Sequence, residues 1–233
     1  METQRDYFDT LAAAFIRSRL TDKQIRVLHP HLFSKMLDEL TDIERQELIQ
    51  LGLAQELRIH RFKRTMELAR VRKVLGILKG IQPHNLLDIG SGRGAFLWPL
   101  LDAFSGLPIT ATDILDYRLA DIQAVHDGGI EHLSAIQADV TALPFANHSF
   151  DVVTMLEVLE HIPATSKTLA EVCRVARRFL LLSVPSKEDD NPEHIHLFDQ
   201  HRLTYLLRDQ GITRITTDYV PNHMIMVARI EPR

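Results

Sequence analysis

Hydrophobic residues in the first third of the chain recur every three or four positions, which is the spacing typical of amphipathic helices. Residues 11–16 and 32–40 each carry such a stripe. The segment 41–44 resembles a capping box, which predicts a helix beginning there. The pattern also predicts one long helix over residues 55–79. We therefore expect residues 1–79 to form a helical N-terminal extension.

Beyond residue 80 the pattern changes to short hydrophobic runs that alternate with helical spacing. Several of these runs are almost continuous, as is typical of strands that are buried on both faces of a sheet. Alternating strands and helices predict a parallel sheet with right-handed crossovers. The runs that predict strands cover residues 85–89, 109–112, 133–137, 150–156 and 179–184.

The last part of the chain departs from this alternation. Residues 212–219 and 224–230 both have strand-like patterns, and only four residues join them. Since a helical crossover needs about a dozen residues or more, this pair should form an antiparallel hairpin. Residues 80–233 are therefore predicted to form an α/β domain with a mostly parallel sheet that includes an antiparallel strand near the end of the chain.

Composition and charge narrow the class of protein. The chain has 233 residues, of which 45% are hydrophobic and 25% are charged, as in an ordinary globular protein. Its net charge of -4 gives no general affinity for nucleic acid. The single cysteine, Cys173, excludes an intrachain disulfide and favours a reducing, cytoplasmic location. We expect no secretory leader and no membrane span, because no hydrophobic run approaches the ~18 residues that a span requires.

The strongest chemical signal is a glycine-rich loop at residues 90–94, which follows a predicted strand and precedes a predicted helix. Glycine allows a sharp turn and the close approach of a ligand, and the helix N-terminus adds free N–H groups and a partial positive charge. The spacing of Gly90, Gly92 and Ala95 also satisfies the looser dinucleotide fingerprint. The loop by itself therefore leaves an NAD-dependent oxidoreductase as an alternative to a protein that binds S-adenosylmethionine.

Three carboxylates near this loop favour S-adenosylmethionine over a dinucleotide. Asp88 stands two residues before the loop, where it would repel a pyrophosphate but attract a ligand with a cationic ammonium and sulfonium. Asp113 ends the second predicted strand, and a carboxylate there accepts hydrogen bonds from ribose hydroxyls in either kind of ligand. Asp139 follows the third strand, where it can accept a hydrogen bond from an adenine amino group.

Several blocks of the chain resemble class I, Rossmann-like S-adenosylmethionine-dependent methyltransferases. Residues 88–94 are similar to the first motif of that family, and residues 137–153 are similar to its next block. Residues 157–162 and 184–198 are similar to its ubiquinone-biosynthesis-like branch. The resemblance extends over residues 80–230 and implies a seven-stranded, mostly parallel sheet whose last strand is antiparallel.

The same resemblance implies S-adenosyl-L-methionine as the cofactor. The loop glycines and Asp88 would lie at its methionine end, Asp113 at the ribose and Asp139 at the adenine. The residues that we expect to bind the cofactor are Asp88, Gly90, Ser91, Gly92, Gly94, Asp113, Ile114, Asp139, Val140 and Glu157.

A group of acids and histidines follows the fourth predicted strand. Glu157, Glu160 and His161 have the spacing that would place them on one face of a helix. His194 and His196, after the fifth strand, would reach the same cleft, and such carboxylates and imidazoles suit a divalent metal. The segment resembles the Glu-x-x-Glu-His part of small-RNA terminal 2′-O-methyltransferases, which hold a metal with a further, distant histidine, although that histidine stands here in a different local motif. The candidate metal ligands are therefore Glu157, Glu160, His161 and His196.

The same residues suit acid–base chemistry without a metal. A hydroxyl acceptor must lose a proton during methyl transfer, and the candidate catalytic residues for that step are His161, Glu157 and His196. A metal would instead lower the pKa of the hydroxyl. A third interpretation is that these side chains only shape the pocket.

Residues 58–73 concentrate positive charge on a predicted helix that carries only one acid, Glu67. This segment would form a solvated helix face, or it would contact RNA phosphates or another anionic surface. Its basic residues are Arg58, Arg61, Lys63, Arg64, Arg70, Arg72 and Lys73.

The sequence as a whole predicts a methyltransferase that acts on an oxygen or nitrogen of a small-molecule acceptor. An RNA methyltransferase of the 2′-O type, with or without a metal, is the alternative that the basic segment suggests. A non-catalytic cofactor-binding homologue and an NAD-dependent oxidoreductase are alternatives of another class.

Overall fold

One seven-stranded sheet organises the fold. A computed structural model describes residues 8–62 and 68–231 of the chain. The strands lie side by side in the order β3-β2-β1-β4-β5-β7-β6. They are β1 (Leu86–Ile89), β2 (Ile109–Asp113), β3 (Leu133–Gln137), β4 (Phe150–Leu156), β5 (Ala176–Pro185), β6 (Arg214–Val220) and β7 (His223–Arg229).

Helices connect these strands and precede them. No helix among the described residues is both long enough and hydrophobic enough to cross a lipid bilayer. The α-helices are α1 (Asp9–Arg19), α2 (Lys23–Leu28), α3 (Pro30–Ser34), α4 (Asp42–Ala54), α5 (Ala69–Ile81), α6 (Leu97–Ala103), α7 (Asp116–Asp127), α8 (Thr165–Val175) and α9 (Gln200–Asp209). Short 3₁₀ turns cover Leu37–Glu39, His60–Phe62 and Leu159–His161.

The directions of the strands confirm the predicted sheet. β1 to β5 pair in parallel, whereas β7 is antiparallel to both of its neighbours, β5 and β6. Pro221 and Asn222 join β6 to β7, and Asn222 has a φ of +64°. Proline followed by a residue with positive φ is the arrangement of a type II turn, which explains how so short a connection reverses the chain.

The strands divide their side chains between two cores, because successive residues of a strand point to opposite faces of the sheet. Leu86 of β1 belongs to a core that also contains residues of α5, α6 and α7. Its neighbour Leu87 belongs to a second core that contains residues of α8 and α9. This burial on both faces explains why the strand patterns in the sequence are nearly continuous.

The N-terminal helices join the first of these cores, and the predicted helical extension is confirmed. α1 buries residues 11–16 and packs between α4 and α7. A side chain at Gly52 of α4 would lie 2.6 Å from Cγ1 of Ile16, and one at Gly128, just after α7, would overlap the carbonyl oxygen of Ala14. Glycine at these two positions therefore lets α1 approach both neighbours closely.

The long helix predicted over residues 55–79 is wrong. α4 ends before this segment and α5 covers only its last part, and between them lies the 3₁₀ turn His60–Phe62. Residues 63–67, which include the basic residues Lys63 and Arg64, lie outside the described part of the chain. The described basic residues of the segment therefore do not belong to one helix.

Burial of two side chains explains this break. Ile59 and Phe62 are 1% and 0% exposed, so both are anchored in the core. The ring centroid of Phe62 lies 5.4 Å from that of Phe15 and 5.0 Å from that of Trp98. Because Phe15 belongs to α1 and Trp98 to α6, contacts with two other elements override the helical spacing of the segment.

Candidate cofactor site

A pocket opens beyond the carboxyl ends of β1, β2 and β4. Its volume is about 440 Å³, which lies within the range of roughly 300–1,000 Å³ that is usual for ligand sites. β1 has β2 on one side and β4 on the other, so the strand order reverses here. Open α/β sheets bind their ligands at such a point. The pocket is lined by Ile89, Gly90, Thr112, Asp113, Ile114, Leu115, Arg118, Ala138, Asp139, Val140, Glu157, Val158, His161, Ile162 and Glu193.

Some of the residues that were predicted to bind a cofactor line the pocket, and others lie in or beneath the glycine loop. Those that line the pocket are Gly90, Asp113, Ile114, Asp139, Val140 and Glu157. Those that lie in or beneath the loop instead are Asp88, Ser91, Gly92 and Gly94. Leu115 and Arg118 were not predicted; the signal that could have found them is their place at the start of the helix after β2, which borders the same sheet edge.

The glycine loop has a backbone shape that other residues rarely adopt. Gly90, Gly92 and Gly94 have φ angles of +69°, +55° and +80°, all in the left-handed region that favours glycine. A side chain at Gly90 would collide with Val158, and one at Gly94 would collide with the indole of Trp98. The loop is therefore fixed both by its dihedral angles and by the side chains packed against it.

Asp88 supports this loop from inside the protein. Its side chain is buried, and its two carboxylate oxygens accept hydrogen bonds from the hydroxyls of Ser91 at 2.7 Å and Thr154 at 2.8 Å. Burial raises the pKa of Asp88 to about 6, although the two hydroxyls oppose this shift. The geometry supports a role in shaping the loop, rather than the direct contact with a ligand that the sequence predicted.

The carboxylates that follow β2 and β3 are both part of the pocket wall. Asp113 accepts hydrogen bonds from the backbone N–H groups of Gly92 and Leu115, each at 3.0 Å, and so ties the loop to the start of α7. Asp139 is exposed and accepts the N–H of Thr141 at 2.8 Å, a bond that holds the pKa of Asp139 below its usual value. Because a carboxylate has about four acceptor positions, both retain capacity for a ligand.

Glu157 lies on the pocket wall in an unusual conformation. Its φ of +57° is uncommon for a residue other than glycine. One carboxylate oxygen accepts the hydroxyl of Ser183 at 2.6 Å, and the other lies 2.9 Å from Nε2 of His223. Nδ1 of His223 faces the carbonyl oxygen of Pro221 at 3.0 Å, so Nδ1 must carry a hydrogen. Nε2 and the carboxylate therefore bond to each other only when they share a further proton.

Sequence reasoning missed His223, which lies at the start of β7. Its register partner in the antiparallel pair is Pro185, at the end of β5. That pairing brings His223 to the sheet edge where Glu157 and Ser183 lie. No spacing along the chain indicates this contact, because it arises from the hairpin folding back beside β5.

A second cluster lies directly beside the pocket. Glu160, His161 and His194 each offer a potential ligand atom, and these atoms all lie within 4.8 Å of one another. Glu160 is 0% exposed, and neither of its carboxylate oxygens has a hydrogen-bond partner among the described residues. Burial raises the pKa of Glu160 to about 8. The structure thus brings a carboxylate and two imidazoles together without satisfying the carboxylate.

This cluster differs from the four metal ligands that the sequence predicted. Glu157 has a left-handed φ and a 3₁₀ turn follows it, so the expectation that it shares a helical face with Glu160 and His161 is wrong. The imidazole of His196 lies outside the cluster, and its backbone N–H instead donates to the carbonyl oxygen of Glu160 at 3.2 Å. His194, two residues earlier in the same loop, supplies the second imidazole.

The basic residues of segment 58–73 are divided among different contacts. Arg61 forms an ion pair with Asp121 of α7, and Lys73 forms one with Asp218 of β6. These pairs attach the segment to the domain that contains the sheet. Arg61 and Lys73 are therefore engaged with two different elements of that domain.

Comparison with known proteins agrees with this geometry. Residues 87–179 match the family model described as a methyltransferase domain. This match identifies residues 87–179 as a methyltransferase domain. The predicted family and the predicted Rossmann-like fold are both confirmed.

Curated relatives of this methyltransferase domain are larger proteins. The malonyl-[acyl-carrier protein] O-methyltransferase of Methylococcus capsulatus is 27% identical over 153 residues, which cover 60% of this chain and 55% of that protein. The ubiquinone/menaquinone biosynthesis C-methyltransferase UbiE of Paracoccus denitrificans is 30% identical over 96 residues, which cover 40% of this chain and 38% of that protein. The chain thus spans about half the length of these relatives, or less.

A solved structure has the same fold. It is the 1,6-didemethyltoxoflavin-N1-methyltransferase of Burkholderia thailandensis with bound 1,6-didemethyltoxoflavin and S-adenosylhomocysteine. The match has a TM-score of 0.60 at 23% identity and covers 70% of this chain and 79% of that one. The three proteins are named for methylation at oxygen, carbon and nitrogen, so similarity to them does not decide the acceptor atom.

Proposed function

We propose that this chain is an enzyme that transfers a methyl group from S-adenosylmethionine to an oxygen or nitrogen of a small molecule. The observation that carries the proposal is the convergence of Asp113, Asp139 and Glu157 on one pocket beside the glycine loop. A wall of acceptors and negative charge fits the hydroxyls, the amino groups and the positive charge of this cofactor. The same wall would repel the pyrophosphate of a dinucleotide.

The residues of the wall take distinct roles toward the cofactor. Asp113 accepts hydrogen bonds from the ribose hydroxyls with the acceptor positions that its two backbone partners and the nearby Arg118 leave free. Asp139 accepts one from the adenine amino group. Ile114 and Val140, each next in sequence to one of these acids, contribute apolar surface to the pocket. Asp88 acts indirectly, by keeping the loop in shape.

The protein has two chemical tasks: it must align the acceptor with the methyl group, and it must remove one proton from the acceptor. When bound, the cofactor supplies a methyl group that its sulfonium already activates, so holding the acceptor in line provides much of the catalysis. Glu157 accepts the proton from a hydroxyl or amine acceptor, and Nε2 of His223, 2.9 Å away, shares that proton. Of the other predicted bases, His161 lines the pocket and positions the acceptor, whereas Nε2 of His196 is buried.

A small acceptor is favoured over RNA. Arg61 and Lys73 are engaged in ion pairs within the protein, so they are less available to phosphates. If the protein uses the predicted divalent metal, its ligands are Glu160, His161 and His194, because these are the residues that the fold brings together. An acceptor screen that monitors S-adenosylhomocysteine tests the acceptor class, and turnover only with carbon nucleophiles or with RNA would contradict this part of the proposal.

Replacing the carboxylate at the end of β2 tests the cofactor assignment. Asp113→Ala should weaken the binding of S-adenosylhomocysteine at least several-fold, because a charge-assisted hydrogen bond contributes about 1.5–3 kcal/mol. Asp127→Ala, an exposed carboxylate at the far end of α7, is the matched control and should bind like the wild type. Titration calorimetry measures both. Unchanged affinity in Asp113→Ala, or heat with NADH and none with S-adenosylmethionine, would refute the assignment.

A further inference from the structure

We infer that Glu160, His161 and His194 form a binding site for one divalent transition-metal ion at the edge of the cofactor pocket. Their potential ligand atoms lie within 4.8 Å of one another. Atoms that share one Zn²⁺ lie roughly 3–4 Å apart, because each is about 2.0–2.2 Å from the ion. Side-chain movements of about an ångström therefore suffice to close the site.

The burial of Glu160 is the first reason for this inference. The residue is 0% exposed, and neither carboxylate oxygen has a hydrogen-bond partner among the described residues. Buried carboxylates are normally paired, hydrogen-bonded or bound to a metal, since an unpaired one loses its hydration without compensation. Protonation would remove the charge but would still leave both oxygens without a donor from the protein. A cation between Glu160 and the two imidazoles satisfies them directly.

The second reason is the way in which the two histidines are held. Nδ1 of His161 lies 2.9 Å from the carbonyl oxygen of Glu193, and Nδ1 of His194 lies 2.9 Å from a carboxylate oxygen of Asp189. Both partners are acceptors, so each Nδ1 carries a hydrogen, and in a neutral imidazole Nε2 is then the nitrogen with a lone pair for a metal. Metal-binding histidines are oriented by this kind of contact, in which the other ring nitrogen donates to a carbonyl or a carboxylate.

The backbone fixes the two halves of the cluster to each other. The N–H groups of Ile195 and His196 donate to the carbonyl oxygen of Glu160 at 3.0 and 3.2 Å. The loop after β5 is thereby attached to the turn after β4, and His194 is held beside Glu160. A site assembled from two segments in this way exists in the folded protein before any ion binds.

The donor set indicates which ion fits. Two imidazole nitrogens and one carboxylate suit Zn²⁺ and similar transition metals, whereas Mg²⁺ and Ca²⁺ prefer oxygen ligands. Three protein ligands leave a coordination position open. Because His161 also lines the pocket, an ion held by these residues would border the space where an acceptor would bind. The use of the ion to activate an acceptor oxygen rests on the proposed function, but the binding of the ion does not.

Titration of the full, chelator-treated chain with Zn²⁺ tests this site. The wild type should bind one equivalent, and Glu160→Gln and His194→Ala should each weaken binding at least tenfold. His201→Ala, which removes an exposed imidazole on α9, is the matched control and should bind like the wild type. Mg²⁺ in place of Zn²⁺ should give no comparable heat.

Binding of S-adenosylhomocysteine separates this inference from the proposed function. His194 is outside the cofactor pocket, so His194→Ala should keep the cofactor affinity of the wild type and thereby show that it is folded. His194→Ala on a surface loop also provides the test if Glu160→Gln does not fold. Wild-type protein that binds S-adenosylhomocysteine but no Zn²⁺, or a folded His194→Ala that binds Zn²⁺ like the wild type, would overturn the metal site.

Discussion

Asp151 near the start of β4 and Glu160 in the 3₁₀ turn after it are buried carboxylates with opposite surroundings. Asp151, near the start of the strand, has a fully buried side chain that accepts hydrogen bonds from His84 and from Arg177. Burial alone would raise its pKa, but these partners outweigh that effect and hold the pKa of Asp151 at about 2. Glu160, in the 3₁₀ turn that follows the strand, is equally buried and has no hydrogen-bond partner in the described part of the chain. Burial raises the pKa of Glu160 to about 8.

The comparison separates carboxylates that hold the fold together from those that are available to a ligand. Desolvation acts on both groups, so the opposite pKa shifts come from the partners that each one has. Asp151 links β4 to His84, two residues before β1, and to two arginines of β5, Arg177 and Arg178. The carboxylates of the site edge have mixed partners: Asp113 bonds to backbone N–H groups and lies 3.5 Å from Arg118, and Glu157 faces Ser183 and His223. Glu160 has no hydrogen-bond partner among the described residues. Strongly perturbed groups in a cleft are typical of functional sites.

Among the substitutions that test this comparison, Asp151→Asn should cause the largest loss of stability. Asp151→Asn should lower the free energy of unfolding by roughly 3 kcal/mol, at the lower end of the range for breaking a buried ion pair, because Arg177 is 53% exposed and can be solvated. Urea denaturation at pH 7 measures this, with the exposed Asp209→Asn as the control. A loss within the error of the control would mean that hydrophobic packing alone holds this edge.

The pH dependence of the stability of Asp151→Asn tests whether the ionised form of Asp151 stabilises the fold. The pKa of Asp151 is lowered from 3.8 to about 2 in the folded state, so its contribution to stability is present above about pH 4 and is lost as the pH falls toward 2. The difference between wild type and Asp151→Asn should therefore shrink over that interval.

Asp88 should show the opposite dependence on pH. Its pKa is raised from 3.8 to about 6, so the folded state favours the protonated form. The stability that this group contributes is complete below about pH 4 and is lost as the pH rises through 6, by up to about 3 kcal/mol. In Asp88→Asn this decline should be absent, which thermal unfolding between pH 4.5 and 7 would reveal. Equal slopes for Asp88→Asn, the wild type and the control Asp127→Asn would contradict the assignment.

Substitution of the two arginines of β5 should cause the smallest losses of stability. Nε of Arg177 lies 2.7 Å from Asp151, whereas Nη1 of Arg178 lies 3.5 Å away. Both side chains are partly exposed, at 53% and 40%, so solvent screens their charges. Arg177→Gln should cost about 1 kcal/mol in unfolding free energy and Arg178→Gln less. The reverse order in urea denaturation would show that distance to Asp151 does not govern this cluster.

Local patterns account for the parts of the molecule that could be predicted. The alternation of hydrophobic runs and helical spacing after residue 80 predicted the sheet, because each strand has to bury both faces against helices. Asp113 and Asp139 were placed at one edge of the sheet because the carboxyl ends of parallel strands meet there, and both do line the pocket. Their contact with a cofactor stays a prediction.

The failures share one physical cause. The spacing of residues 55–79 is helical, but Ile59 and Phe62 are buried in the core, where Phe62 packs against α1 and α6. The spacing of Glu157 and Glu160 is also helical, but the positive φ of Glu157 and the 3₁₀ turn after it separate the two. Periodicity describes which residues would share a face if a helix formed, and it carries no information on whether neighbouring elements favour that helix.

The sequence alone determined the family, the order of strands and helices after residue 80, and the loop that needs glycine. These depend on residues that are close together in the chain. Tertiary structure alone decided which acids meet which histidines. His223 reaches Glu157 because β7 pairs with β5, and His194 reaches Glu160 because the loop after β5 bonds to the turn after β4. Such contacts join residues that are tens of positions apart, so no spacing in the sequence encodes them.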